Sequence, residues 1–207
     1  MKPEKQGKIV IISSPSGGGK TSICRRLLNP TRKKKGWKFS ISYTTRTKRR
    51  GERHGREYYF VDDSTFSKML ARNAFAEHFK VHLYHYGTPR DTIDRTLKSG
   101  GVLLLDVDCQ GALKLKKDYP EAITIFILPP SIAALKRRLK ARGTETREQL
   151  KVRFENSKKE MRQFRQFEYV VINDDLDEAV KQVLSIINCH FCRTEKLRPE
   201  QIRKIVG

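Results

Sequence analysis

The sequence is poor in several things, and each shortage excludes something. It holds four cysteines, Cys24, Cys109, Cys189 and Cys192, too few and too scattered for a disulfide framework. Proline and glycine number only 8 and 13 while 37% of residues are hydrophobic, which excludes a low-complexity or disordered chain. No apolar run approaches the ~20 residues of a membrane span. The first such run, Ile9–Ile12, is too short for the core of a signal peptide, so no membrane partner is expected and the cytoplasm is the expected location. Acidic residues are scarce beside basic ones: 23 Asp and Glu stand against 44 Lys and Arg, a formal net charge of +21. That imbalance points to a polyanionic partner, whether nucleic acid, an anionic membrane or a phosphorylated small molecule. The cations crowd into RKKKGWK, TRTKRRGERHGR and the region from Lys136 to Arg165, clusters that a solvated basic surface would explain equally well.

What the sequence does have is alternation. Lys8–Ser13 reads as a short β-branched buried strand and Lys20–Leu28 as a helix with apolar residues at helical spacing. WKFSISY alternates like a strand, Asp63 or Ser64 opens a helix through Arg72, and Phe75–Tyr86 suggests more strand. DTIDRTLKSGG reads as a capped helix stopped by its glycines. VLLLDVD, AITIFIL and YVVIN read as buried strands. Helices are expected at Gln110–Lys117, Ser131–Ala141, Thr146–Phe164 and Asp175–Asn188. Strands and helices in this order predict an α/β fold in one domain, with a parallel sheet covered by helices. The chain, 207 residues long, suffices for such a core.

The stretch SSPSGGGKTS, Ser13–Ser22, lies between the first strand and the first helix. Glycine has no Cβ, so the backbone N–H groups of Ser16 to Lys20 can close on an anion, joined by the free donors and positive dipole end of the helix. Lys20 would reach a β- or γ-phosphate oxygen and the Thr21 hydroxyl would ligate Mg²⁺, which makes the stretch a nucleoside-triphosphate cradle. Ser14 stands where the usual motif has glycine. Asp106 and Asp108 end the strand VLLLDVD, where open parallel sheets bind ligands. Asp106 is suited to orient hydrated Mg²⁺; the alternative for either acid is a cap on the following helix.

From Ile9 to about Leu184 the chain resembles the guanylate kinase family. The ordered series SSPSGGGKTS, SISYTTRTKRRGERHGREYYF, AFAEHF, YHYGTPR, LLLDVDCQGALKLK, LKRRLKARGTET and VVINDDLDEA carries the likeness. The resemblance implies a P-loop nucleoside monophosphate kinase core (8–41 and 89–188), a small GMP-binding insertion (42–88), a helical lid (138–153) and a C-terminal tail (189–207). It implies transfer of a phosphoryl group from ATP to GMP with Mg²⁺. The ATP-binding residues would be Ser14, Pro15, Ser16, Gly17, Gly18, Gly19, Lys20, Thr21 and Ser22, with Asn173 near the adenine. The GMP-binding residues would be Ser42, Arg46, Arg49, Tyr58, Glu77, Tyr86, Thr88 and Asp108. Lys20, Arg138, Arg142 and Arg153 would act on the transferring phosphoryl group, and Thr21 and Asp106 on the metal.

Chemistry agrees with that assignment. A phosphate monoester is already largely dianionic at neutral pH, its second pKa being about 6, so attack needs no general base. It needs cations that cancel repulsion between two anions and hold them in line, and arginine's rigid fork suits phosphate. By the resemblance, Glu77, with Asp108 assisting at N2, would accept from guanine N1–H and N2–H₂, and Ser42 would donate to O6. ATP and GMP account for the basic balance better than nucleic acid, which is not the expected partner; monomer and homodimer both stay open. A family-like phosphopeptide-binding module without catalysis is the alternative, and a nucleic-acid-binding P-loop protein has only net charge in its favour. The CHFC of the tail has the spacing of half a zinc site, but no second pair follows it, so a solvated helix end is expected there.

Overall fold

The computed structural model describes residues 7–34, 36–81, 83–141, 147–193 and 203. Five strands build the main sheet: β1 (Lys8–Ser13), β2 (Trp37–Phe39), β7 (Val102–Asp106), β8 (Ile123–Leu128) and β9 (Tyr169–Ile172). Their order is β2-β7-β1-β8-β9, every pairing parallel. Around the sheet lie α1 (Lys20–Leu27), α2 (Pro30–Lys34), α4 (Arg90–Lys98), α5 (Cys109–Asp118), α6 (Ile132–Lys140), α7 (Arg147–Met161) and α8 (Leu176–Phe191). Side chains of β1 alternate between the two faces. Val10 and Ile12 pack with Ile23 and Leu27 of α1 and Val183 and Ile187 of α8, whereas Ile9 and Ile11 pack with Ile93 of α4 and Ala112 and Leu115 of α5. A strand buried on both faces needs apolar residues at every position, and IVII supplies them.

A second, four-stranded sheet stands apart, in the order β4 (Tyr59–Phe60), β3 (Tyr43–Thr44), β6 (Tyr84–Pro89), β5 (Phe75–Val81). It carries α3 (Asp63–Ala71) and, except for Pro89 at the end of β6, lies within the stretch expected to be the insertion. Its pairings are mixed: β3 runs parallel to β4 and antiparallel to β6. Aromatic rings replace an aliphatic core here, with Tyr43 stacked on Tyr59 at 4.7 Å and Phe66 on Phe75 at 4.5 Å.

Several boundaries differ from expectation for physical reasons. WKFSISY is not one strand: Trp37–Phe39 pairs with β7, and the chain then crosses to the second sheet at Tyr43. Period-2 alternation persists through such a crossing, so it does not reveal the change of partner. Phe75–Tyr86 resolves into the hairpin of β5 and β6. The helix expected over Thr146–Phe164 is α7 followed by a 3₁₀ turn, Arg162–Gln166, and α8 runs three residues past the expected Asn188. Asp62, not Asp63 or Ser64, caps α3 by accepting from the Thr65 N–H.

Candidate active site

Side-chain oxygens of Asp62, Asp108, Ser131 and Asp175 cap α3, α5, α6 and α8. Helix α1 carries no side-chain cap; its N-cap is Gly19, at φ +98°. The first-turn donors of α1 are thereby left facing the loop that precedes them. Gly19 also lies against Asn173: a Cβ there would sit 2.0 Å from Asn173 Nδ2. Glycine is therefore required twice over, by the left-handed backbone and by the neighbour.

The central position of β1 brings the acids to this loop. Ile12 is in register with Asp106 of β7, so the end of β7 lies beside the start of the loop. Lys20 Nζ stands 2.6 Å from Asp106 Oδ1 and donates to Val107 O at 2.6 Å, while Thr21 Oγ1 is 3.4 Å from Asp106 Oδ2. Burial by itself would lower the Lys20 pKa, but the Asp106 carboxylate overrides it and the ammonium is raised above its ordinary value. Thr21 and Asp106 thus present hard oxygen donors side by side. The described residues contain no group of three or more His, Cys, Asp and Glu that could hold a metal. Such a sparse donor set suits Mg²⁺, which is commonly bound by one or two carboxylates together with substrate phosphates.

Ser42, Arg46, Arg49, Tyr58 and Tyr86 line one cavity of about 1220 Å³, and Thr21 and Asp106 form part of its wall. Arg46 is buried, with Nη2 donating to Glu52 at 2.8 and 3.1 Å and its guanidinium over the Tyr58 ring. The Glu52 carboxylate is held below its usual range, its burial outweighed by the Arg46 bond and the Arg49 N–H. Burial, reinforced by the Asp106 charge, pushes the Tyr58 phenol up to about 12, so it stays a hydrogen-bond donor.

Glu77 and Thr88 sit deeper and outside that lining. They face each other across β5 and β6, with the Thr88 hydroxyl donating to Glu77 Oε1 in a short bond. Burial pushes the Glu77 carboxyl up to about 7, and the Asp108 charge adds to the rise. Asp108 caps α5: its Oδ1 accepts from Gly111 N–H at 2.8 Å. A Cβ on Gly111 would meet Asp108 Oδ1 at 3.2 Å and Glu77 Oε2 at 3.4 Å, so the two acids flank one glycine. The cap weighed as an alternative for Asp108 is real, and for Asp106 it is not.

A smaller cavity of about 280 Å³ lies on the other side of the loop, lined by Gly17, Gly19, Ser22, Arg138, Asn173, Asp174 and Leu176. Asn173 Nδ2 donates to Gly18 O at 2.9 Å and Arg138 Nη2 to Asn173 O at 2.8 Å. Arg138 Nη1 is buried and has no partner among the described residues. Asn173 is therefore a latch on the loop as well as a wall of this cavity. Arg142 lies outside the described residues. Arg153 lies on α7, with Nε donating to Ser16 Oγ at 2.8 Å.

Sequence reasoning missed Glu52, Ser157 and Glu160. Glu52 lies inside the glycine-punctuated basic run TRTKRRGERHGR and carries no spacing signal toward Arg46. Glu160 lies seven residues after Arg153, hence on the same helix face, but nothing local pointed that face at the loop.

A five-stranded parallel sheet with a glycine-rich loop between its central strand and an uncapped helix defines the phosphate-binding-loop class of nucleotide-binding folds. Residues 6–190 match the family model described as guanylate kinase. The chain is 43% identical over 196 residues to a protein named guanylate kinase in Caldanaerobacter subterraneus, covering 95% of this chain and 94% of that one. It is also 43% identical over 190 residues to one of the same name in Nitrosomonas europaea, covering 90% and 91%. A crystal structure of guanylate kinase from Anaplasma phagocytophilum superposes with a TM-score of 0.79 at 28% identity, covering 97% and 96%. The chain belongs to the guanylate kinase family.

Proposed function

We propose that this protein transfers the γ-phosphoryl group of ATP to GMP, giving ADP and GDP, in the cytoplasm and with Mg²⁺. The observation that carries the proposal is the shared wall of the large cavity. Thr21 and Asp106, beside the phosphate loop, face the same space as Ser42, Arg46, Arg49, Tyr58 and Tyr86. A donor phosphate on the loop and an acceptor phosphate on the arginines would therefore share one cavity.

In this reading Lys20 and the N–H groups of the loop other than those of Ser16, which donates to Glu160, and Gly18, which donates to Pro15 O, hold the β- and γ-phosphates. Lys20 gives up part of its bond to Asp106 as phosphate oxygens arrive. When bound, Mg²⁺ would neutralise phosphate charge beside Thr21 and Asp106. Arg46 and Arg49, with the Tyr58 and Tyr86 hydroxyls, hold the acceptor phosphate, whose own oxygen attacks. Arg138, Arg142 and Arg153 stabilise charge spread over the transferring oxygens. Ionised Glu77 accepts from guanine N1–H and N2–H₂, Asp108 assists at N2, Ser42 donates to O6 and Thr88 fixes the Glu77 carboxylate.

Among the described residues no helix is long and apolar enough to cross a membrane. The test is a coupled ADP-release assay with ATP and each of GMP, AMP, UMP and CMP. Preference for GMP by ~10⁴ over AMP is expected of a polar base site. Equal turnover of AMP would refute the guanine assignment, and no turnover of any acceptor would refute the kinase.

A further inference from the structure

One helix grips Ser16 of the phosphate loop at three polar atoms. Arg153 Nε donates to Ser16 Oγ at 2.8 Å, Ser16 N–H donates to Glu160 Oε2 at 3.0 Å, and Ser157 Oγ lies 3.2 Å from Ser16 O. Residues 153, 157 and 160 recur at i, i+4 and i+7, so all three project from one face of α7. Ser157 is fully buried, and its hydroxyl also lies 2.9 Å from Arg153 O, tying the loop contact to the backbone turn that carries the arginine.

Glu160 is an unexpected neighbour for a polyanion site. Burial pushes its carboxyl up; the Ser16 N–H and the Lys20 charge oppose that rise, the Asp108 charge adds to it, and Arg153 opposes it. An acid beside a triphosphate cradle repels the ligand, so a surface polar contact would be better made by a neutral residue. What an anion does here that a neutral group does less well is hold a backbone N–H of the loop and attract the Arg153 guanidinium together.

We propose that Glu160 is a positioning residue for phosphoryl transfer: by accepting from the Ser16 N–H it fastens α7 to the phosphate loop and so sets the Arg153 guanidinium over the donor phosphates. This rests on the proposed ATP:GMP reaction for the identity of those phosphates. Glu160 acts through Ser16 and Arg153, so its effect belongs to the catalytic step and to the donor side, not to GMP capture.

The test uses the full chain and four variants: Glu160→Ala, Glu160→Gln, Arg153→Ala and the double Ala variant. Glu160→Ala is expected to lower kcat by roughly 10- to 100-fold, a loss of the size that slight misplacement of a catalytic group produces, and to leave KM for GMP within about twofold. Glu160→Gln keeps an oxygen that accepts from Ser16 N–H and is expected to recover part of the loss. In the Arg153→Ala background, Glu160→Ala should cost less than in the wild type, because the guanidinium it orients is gone. Amide exchange in the ligand-free protein reads the clasp directly, even if Glu160→Ala does not fold. Ser16 N–H should exchange slowly in the wild type and in Glu160→Gln. Additive losses, an unchanged kcat in Glu160→Ala, or fast Ser16 exchange in the wild type would each overturn the proposal. A wild type that fails to phosphorylate GMP while Ser16 stays protected would instead overturn the reaction on which it rests.

Discussion

Lys20 and Asp106 form an ion pair of 2.6 Å that joins the first turn of α1 to the end of β7, with both side chains mostly buried. The pair fixes the lysine beside the loop, and it places the Asp106 carboxylate beside Thr21. The same contact explains why the ammonium stays charged in a buried place.

Lys20→Ala is therefore expected to lower kcat by on the order of 10²- to 10³-fold, as removal of a preorganised charge from a transition state does. Circular dichroism should show a folded protein, since Val10, Ile12 and Ile23 around the loop are untouched. Near-normal turnover by the folded variant would remove Lys20 from the mechanism.

Glu77 makes pH dependence informative. Its folded pKa, about 7, lies above the ordinary 4.5, so the folded state binds the proton more tightly than the unfolded state does. The resulting stabilisation is complete below pH 4.5 and is lost as pH rises through about 7, a change of about 3 kcal/mol at most. Glu77→Gln lacks this titration, so without ligand it should gain stability relative to the wild type as pH rises from 4.5 to 8. Paired urea denaturation series check this. GMP affinity should run the opposite way: the wild type should bind more weakly below pH 7, where the carboxyl carries a proton, and Glu77→Gln should bind poorly throughout. A stability difference independent of pH would contradict the burial argument.

Asp108 caps α5 and is proposed to serve guanine N2, and the two duties are separable by substitution. Asp108→Asn keeps an oxygen for the Gly111 N–H, whereas Asp108→Ala loses the cap on α5. The alanine variant should cost about 1 kcal/mol and lower Tm by about 2–4 °C, and the asparagine variant should leave Tm nearly unchanged. If the charge also serves guanine N2, Asp108→Asn should still raise KM for GMP. Equal Tm in both variants would show that the cap contributes little.

Gly19→Ala should disrupt donor binding more than any other single methyl added to the loop. The new Cβ would sit 2.0 Å from Asn173 Nδ2, forcing that side chain off Gly18 O, and the backbone at φ +98° is strained for alanine. ATP affinity measured by calorimetry should fall by roughly 5- to 30-fold, since the left-handed conformation alone disfavours a Cβ by about 1–2 kcal/mol. Tight ATP binding by this variant would mean that the Asn173 latch is dispensable.

Much of this protein was legible in order and type. β1 matched its expected bounds because a doubly buried strand next to glycine leaves little choice, and Lys20 and Thr21 followed from the loop motif alone. Boundaries were lost where partners change without a change of pattern, as at Ser40–Ser42 between the two sheets. The residues proposed to hold the acceptor were named only through family resemblance. Arg46, Tyr58 and Tyr86 come from separate segments, and strand pairing around β3, the Arg46 guanidinium over the Tyr58 ring and the Tyr58–Tyr86 ring contact at 5.7 Å bring them together.

The sequence by itself determined the alternation of strands and helices, the anion-binding loop, the excess of cations and membership in the family. Each depends on residues near one another along the chain, where backbone sterics, periodicity and capping act. The tertiary structure alone decided that Asp106 holds Lys20, that Glu52 holds Arg46, that Glu160 holds Ser16, and that Glu77 is buried enough to titrate near neutrality. Those outcomes follow from strand register and from which helix face meets which loop. Such choices are made by packing a whole core, and no local pattern records them.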